Sequence, residues 1–81
     1  MIDRKNDYGS VSEVWAPEGY GFIQTRAGER VYFDRGRVHP DHFHRLFVGT
    51  EVEFRRELGD RGWVARDVVV VRQNTRLLPL N

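Results

Sequence analysis

The chain contains no cysteine, so neither disulfide bonds nor thiolate metal sites stabilise it. It has no apolar run long enough for a transmembrane helix, and the charged stretch from Met1 to Asp7 lacks the apolar core of a signal peptide. These absences predict a cytoplasmic protein with no membrane partner. Lysine is almost missing too, because all but one of the 13 basic residues are arginine, the exception being Lys5. Arginine suits contacts with phosphates and bases, although genomic base composition produces the same bias.

Catalytic and metal-binding patterns are also missing. No nucleophile stands with a base and an orienting partner, and no phosphate-binding loop is present, so we expect no enzyme. His39, Asp41, His42 and His44 are close in sequence, but no cysteine or further committed ligand accompanies them. A solvated polar loop is therefore the preferred interpretation, and we predict no metal and no cofactor.

The chain is small and almost neutral. Its 81 residues are 40% hydrophobic and carry a formal net charge of +1. This composition predicts one small folded domain with a limited core. The low net charge provides no long-range attraction for a polyanion.

Alternating apolar residues predict five strands and no long helix. The predicted strands are residues 8–15, 20–26, 30–35, 50–58 and 63–72. Val11 and Val14 lie three apart, which breaks strict alternation and predicts a bulge. The run from Val68 to Val71 predicts burial on both faces, and one helical turn is predicted near residues 41–44 of the long connection. Five short strands with a long third connection predict an all-β, five-stranded Greek-key barrel of the OB-fold type.

The second and third predicted strands carry aromatic residues on one face. Tyr20 and Phe22 are two apart and point the same way, and glycines flank both of them. Tyr32 reaches the same surface if the next strand pairs antiparallel with theirs. Such a row of rings is a platform on which bases can stack, and stacking contributes about 1–3 kcal/mol per base. The opposite parity supplies the predicted core residues: Ile23, Val31, Phe33, Val52 and Phe54.

Several motifs occur in a characteristic order along the chain. They are Gly9-Ser10-Val11, Gly19-Tyr20-Gly21-Phe22-Ile23, Val31-Tyr32-Phe33-Asp34-Arg35, Leu46, Gly49, Val52, Phe54, Gly62, Ala65 and Val68. Their order and spacing resemble those of a cold-shock domain over about residues 8–71. The second motif resembles the first ribonucleoprotein motif of that family, and the third resembles a degraded second one. The resemblance implies an OB-fold barrel that binds single-stranded RNA or DNA.

The chain departs from the family pattern where that family contacts nucleic acid. Ser12 and Glu13 stand at the positions of the usual lysine and tryptophan, and Glu18 replaces the lysine before the first motif. Asp34 and Arg35 replace the histidine and phenylalanine of the second motif. Three acidic residues near the platform disfavour a polyanion, so we expect weak binding.

Six residues form the predicted nucleic-acid-binding set: Tyr20, Phe22, Tyr32, Arg35, Trp15 and Arg61. The first three are the stacking rings, and Arg35 offers a guanidinium plane for a base. Arg61 is near a basic position of the family in the last turn. Trp15 either replaces the lost tryptophan or belongs to the core.

The predicted organisation is an N-terminal tail at residues 1–7, the barrel at 8–73 and an apolar C-terminal tail at 74–81. Leu77, Leu78 and Leu80 are too apolar for a solvated tail, so they either cover the barrel or contact a protein partner or a second copy. Two functions stand. One is weak binding of single-stranded RNA or DNA, which the intact first motif favours. The other is an OB-fold protein-interaction module that has lost most nucleic-acid binding, which the acidic replacements favour.

Overall fold

Five strands close into a barrel in the computed structural model, which describes residues 6–72. The strands are β1 (Asp7–Trp15), β2 (Tyr20–Thr25), β3 (Arg30–Asp34), β4 (Glu51–Gly59) and β5 (Gly62–Arg72). Their order around the barrel is β1-β2-β3-β5-β4, with β4 paired to β1. The neighbours are antiparallel except for β3 and β5, which run parallel. The predicted five-stranded barrel is confirmed, and each strand begins and ends within one residue of its predicted boundary.

The long connection between β3 and β4 is anchored by apolar side chains. It contains two short 3₁₀ helices, Arg35–Arg37 and Phe43–Arg45. The second lies close to the helical turn predicted near residues 41–44. Phe43 is buried, and the connection returns to β1 where the Val11 amide donates to the carbonyl oxygen of Thr50 at 2.9 Å.

The strands contribute side chains of one parity to the barrel interior. All five residues predicted to form the core are less than 2% exposed: Ile23, Val31, Phe33, Val52 and Phe54. Because side chains alternate along a strand, burial of this set places the intervening residues of β2 and β3 on the outer surface. The fold therefore separates core and platform as the sequence predicts.

The valine run at the end of β5 is the clear exception. Burial on both faces is wrong, since Val68 is fully buried but Val71 is 46% exposed. Val69 and Val70 are only partly buried. In a closed single-layer barrel the outward side chains of a strand have no second layer to cover them, so valine here reflects strand propensity rather than a buried position.

A bulge in β1 sets its register against β2. Val11 pairs with Ile23, but Glu13 pairs with Phe22, so Ser12 is an extra residue between them. The bulge predicted from the spacing of Val11 and Val14 is confirmed. After it, Val14 again packs against the core.

Parts of the predicted organisation lie outside the described residues. These are most of the N-terminal tail and the C-terminal tail with Leu77, Leu78 and Leu80. Between residues 6 and 72, no helix has the length and apolar character needed to cross a membrane.

We expect Gly21→Ala to destabilise the barrel, because a methyl group at this position has no space. An added Cβ would collide with the carbonyl oxygen of Glu13 on β1 and would lie 2.7 Å from Cζ of Phe33. Overpacking of this kind costs about 1–3 kcal/mol. Urea unfolding measures the loss. Gly36→Ala is the control, since its Cβ meets only a carboxylate oxygen at 3.6 Å, and equal stability of the two variants would contradict the prediction.

Candidate nucleic-acid interface

Four aromatic rings form one cluster on the outer surface of β1, β2 and β3. Trp15 stacks on Tyr20 with ring centroids 5.0 Å apart, and Tyr20 stacks on Tyr32 at 6.1 Å. Phe22 meets Tyr32 and Trp15 edge-on at 5.8 Å and 6.5 Å. Trp15 is 41% exposed and the other three rings are partly exposed. We call these four residues the aromatic face.

Strand register explains how the rings meet. Phe22 is paired with Tyr32 across β2 and β3, so their side chains leave the same side of the sheet. The bulge in β1 brings Trp15 opposite Tyr20. Trp15 thus lies on the aromatic face and not in the core.

The hydroxyl of Tyr32 is fixed at the edge of the face. It donates to Oδ2 of Asp34 at 3.3 Å. Partial burial raises the pKa of Tyr32 above its ordinary value of 10.0, and the negative charge and hydrogen bond of Asp34 raise this pKa further. Tyr32 therefore presents a neutral ring at physiological pH.

A guanidinium group covers one ring of the face. Cζ of Arg30 lies 3.7 Å from the centroid of Phe22, within cation–π range. Nη2 of the same arginine is 3.0 Å from Oε1 of Glu13. Arg30 was not among the predicted binding residues, because its position over Phe22 depends on the relative registers of three strands.

Two of the three acidic replacements are ion-paired. Glu13 contacts Arg30, and Asp34 lies 3.5 Å from Nε of Arg37. Glu18 is exposed on the turn between β1 and β2. Paired carboxylates repel a phosphate less than free ones do, so the face repels a polyanion less than the formal charges indicate.

Arg35 lies against the β1–β2 turn. Its Nη2 donates to the carbonyl oxygen of Ala16 at 3.0 Å, and its Cζ is 4.2 Å from the centroid of Phe43. Its backbone amide also donates to the carbonyl oxygen of Gly19. The structure therefore gives Arg35 a role in holding this turn, through contacts with residues outside the aromatic face.

Arg61 borders a cleft of about 690 Å³ beside the face. Phe22 and Tyr32 form part of its lining, together with Trp63 at the start of β5. Trp63 is also contacted by the guanidinium of Arg56, with Cζ 4.8 Å from the ring. Sequence reasoning missed Trp63, although an aromatic residue directly after the last turn was the available signal.

The histidine-rich segment is tied to the barrel by hydrogen bonds. Nδ1 of His42 accepts from the amide of Val70 at 3.0 Å, and Nδ1 of His39 accepts from the amide of Asp41 at 3.3 Å. Partial burial lowers the pKa of His42, and the nearby His39 lowers it further. Within residues 6–72, no three histidine, aspartate or glutamate side chains group closely enough to hold a metal ion.

A closed five-stranded barrel with an outward aromatic cluster is a protein of the OB-fold type with a surface on which bases can stack. Residues 7–71 match the model of the 'Cold-shock' DNA-binding domain family. The chain belongs to the cold-shock domain family.

Known cold-shock proteins are similar in sequence to this chain over most of their length. Cold shock-like protein CspE of Bacillus anthracis is 36% identical over 61 residues, which cover 75% of this chain and 91% of that protein. Cold shock protein 1 of Lactiplantibacillus plantarum is 38% identical over 61 residues, covering 75% and 92%. Cold shock protein CspC of Bacillus subtilis is 34% identical over 62 residues, covering 76% and 94%.

We expect Asp34→Ala to lower the pKa of Tyr32, because the variant removes both the negative charge and the hydrogen-bond acceptor. Burial should still hold this pKa above 10.0. Since the folded-state pKa is raised, the stability that Tyr32 contributes is complete below pH 10 and is lost as the pH rises through the folded value. Ring signals followed by NMR across the pH titration measure the change. Asp41→Ala, an exposed acid on the long connection, is the control, and an equal shift in both variants would contradict the assignment to Asp34.

Proposed function

We propose that the chain binds single-stranded RNA or DNA by stacking bases on the aromatic face, with Arg61 and Arg30 contacting the strand at its edge. The observation that carries this proposal is the cluster itself. Trp15, Tyr20 and Tyr32 form a continuous row of stacked rings on the outside of the barrel. These rings are not needed to fill the barrel interior, since a separate set of residues does so.

The chemistry of the face supports binding with little sequence preference. Every base has a π-face, so stacking rewards any unpaired base and contributes about 1–3 kcal/mol each. A duplex hides these π-faces between its own base pairs. The proposal therefore requires preference for single strands over duplexes.

Charge supports modest affinity. The formal net charge is +1, and Arg30 and Arg37 both contact carboxylates of the protein. Stacking rather than phosphate attraction then provides most of the binding energy. Arg35 is a weaker candidate for base contact, because its guanidinium already lies against Phe43.

Titration with short pyrimidine-rich DNA and RNA at low salt tests the proposal. Intrinsic fluorescence should be quenched as bases stack on Trp15, and Trp63→Phe separates this signal from that of the second tryptophan. A duplex of the same sequence is the control ligand. Absence of binding by every single strand would favour the alternative, a barrel that serves as a protein-interaction module.

We predict that Phe22→Ala weakens single-strand binding without unfolding the barrel. Loss of one stacked base corresponds to about 1–3 kcal/mol, or roughly fivefold to 150-fold in Kd. Fluorescence titration measures the affinity, and urea unfolding verifies the fold. Tyr8→Ala is the matched control, since Tyr8 is an exposed aromatic residue on β1 outside the aromatic face. Equal weakening by both variants would argue against stacking on Phe22.

Binding should depend only weakly on salt. Each neutralised phosphate of a single strand contributes about −0.7 to the slope of log K against log salt. With two or three contacts, the slope should lie between roughly −1.4 and −2.1. A much steeper slope would show that phosphate contacts, and not rings, dominate the affinity.

A further inference from the structure

The ion pair between Arg30 and Glu13 crosses the middle strand of the aromatic face. Glu13 is on β1, Phe22 on β2 and Arg30 on β3. Glu13 pairs in register with Phe22, so the two charged side chains meet above the strand that carries the ring. The guanidinium then lies 3.7 Å from the centroid of Phe22.

The guanidinium of Arg30 occupies the place on the Phe22 ring that a base would take. Stacked planes approach to van der Waals distance, and the guanidinium already stands at that distance on Phe22. A base and Arg30 cannot both lie on this side of the ring. Stacking there requires Arg30 to move.

We propose that Glu13 competes with nucleic acid for Arg30. In the free protein Glu13 holds the guanidinium over Phe22. On binding, Arg30 leaves Glu13 and contacts a phosphate, and the uncovered ring of Phe22 receives a base. Glu13 thereby sets the affinity of the face, and this inference rests on the proposed single-strand binding.

The Arg30–Glu13 ion pair is easy to open because it is exposed and involves a single carboxylate. The side chains of Arg30 and Glu13 are 60% and 44% exposed, and exposed ion pairs contribute little stability. Phosphate is a strong bidentate partner for a guanidinium and can replace the carboxylate. Arg56 differs, because it is less exposed and contacts the carboxylates of both Asp7 and Glu29.

The variant Glu13→Gln tests the competition. It removes the charge that retains Arg30, so affinity for an oligothymidylate of about eight nucleotides should rise roughly threefold to tenfold at low salt. Glu51→Gln is the matched control. It makes the same charge change in an ion pair with Arg72 at 3.8 Å, and the side chain of Glu51 is 48% exposed. This control should leave affinity within about twofold, since exposed pairs of this kind contribute little.

A double-mutant cycle with Arg30→Gln separates competition from simple repulsion of phosphate by Glu13. Competition needs Arg30, so Glu13→Gln should improve binding more in the wild-type background than in Arg30→Gln. Repulsion alone gives the opposite order, because Glu13 loses its cationic partner in Arg30→Gln and repels phosphate more strongly. The Nε–H signal of Arg30 in an NMR titration provides a second readout, and it should shift on addition of the oligonucleotide.

The outcomes distinguish this inference from the function beneath it. If neither the wild type nor Glu13→Gln binds the oligonucleotide, both the inference and the proposed function fail. If the wild type binds but Glu13→Gln is no tighter, or gains at least as much without Arg30, only the competition is overturned. Tighter binding that needs Arg30 supports the inference, and a fold check by NMR accompanies each variant.

Discussion

The register of β1 against β2 is the constraint on which the aromatic face depends. One extra residue between Val11 and Glu13 lets both Val11 and Val14 face the core, although their spacing breaks strand alternation. The same bulge sends Glu13 and Trp15 to the outer surface, opposite two rings of β2. Without it, every β1 side chain beyond this point would lie on the other side of the sheet. One local irregularity therefore decides the composition of the site.

Electrostatics on this face is organised by pairs and not by net charge. Arg30 lies with Glu13, and Arg37 lies between Asp34 and Glu57, with an Nη1 to carboxylate distance of 3.3 Å to the latter. These contacts reduce the repulsion that isolated carboxylates would exert on a phosphate. They also occupy arginines that would otherwise attract it. In the proposed binding mode, stacking is then the main source of affinity, which agrees with a cluster of four rings in a chain of net charge +1.

Alternation along the sequence is sufficient to predict the strands, five of the core residues and the outward rings, because a two-residue period fixes which side chains share a face. The spacing of Val11 and Val14 also predicted the bulge, but not which residue was inserted, so the side of Trp15 stayed open. Val71 was assigned wrongly because a run of valines looks the same in a two-sided sheet and in a barrel open to solvent. The position of Arg30 over Phe22 depends on the registers of three strands together, and no local pattern encodes it.

Glu13, an acidic departure from the family pattern, thus has two different physical effects. Considered without its partner, Glu13 adds a negative charge that repels phosphate, and it lacks the aromatic ring that the family carries at this position. Paired with Arg30, it becomes an internal substitute for the phosphate, and exchanging one anion for the other changes few ionic contacts in total. When a nucleic-acid strand takes Arg30 from Glu13, the freed carboxylate must again be screened by cations. Uptake of these cations offsets part of the counterion release from the phosphates. The salt dependence of binding would then count fewer phosphates than the strand actually contacts.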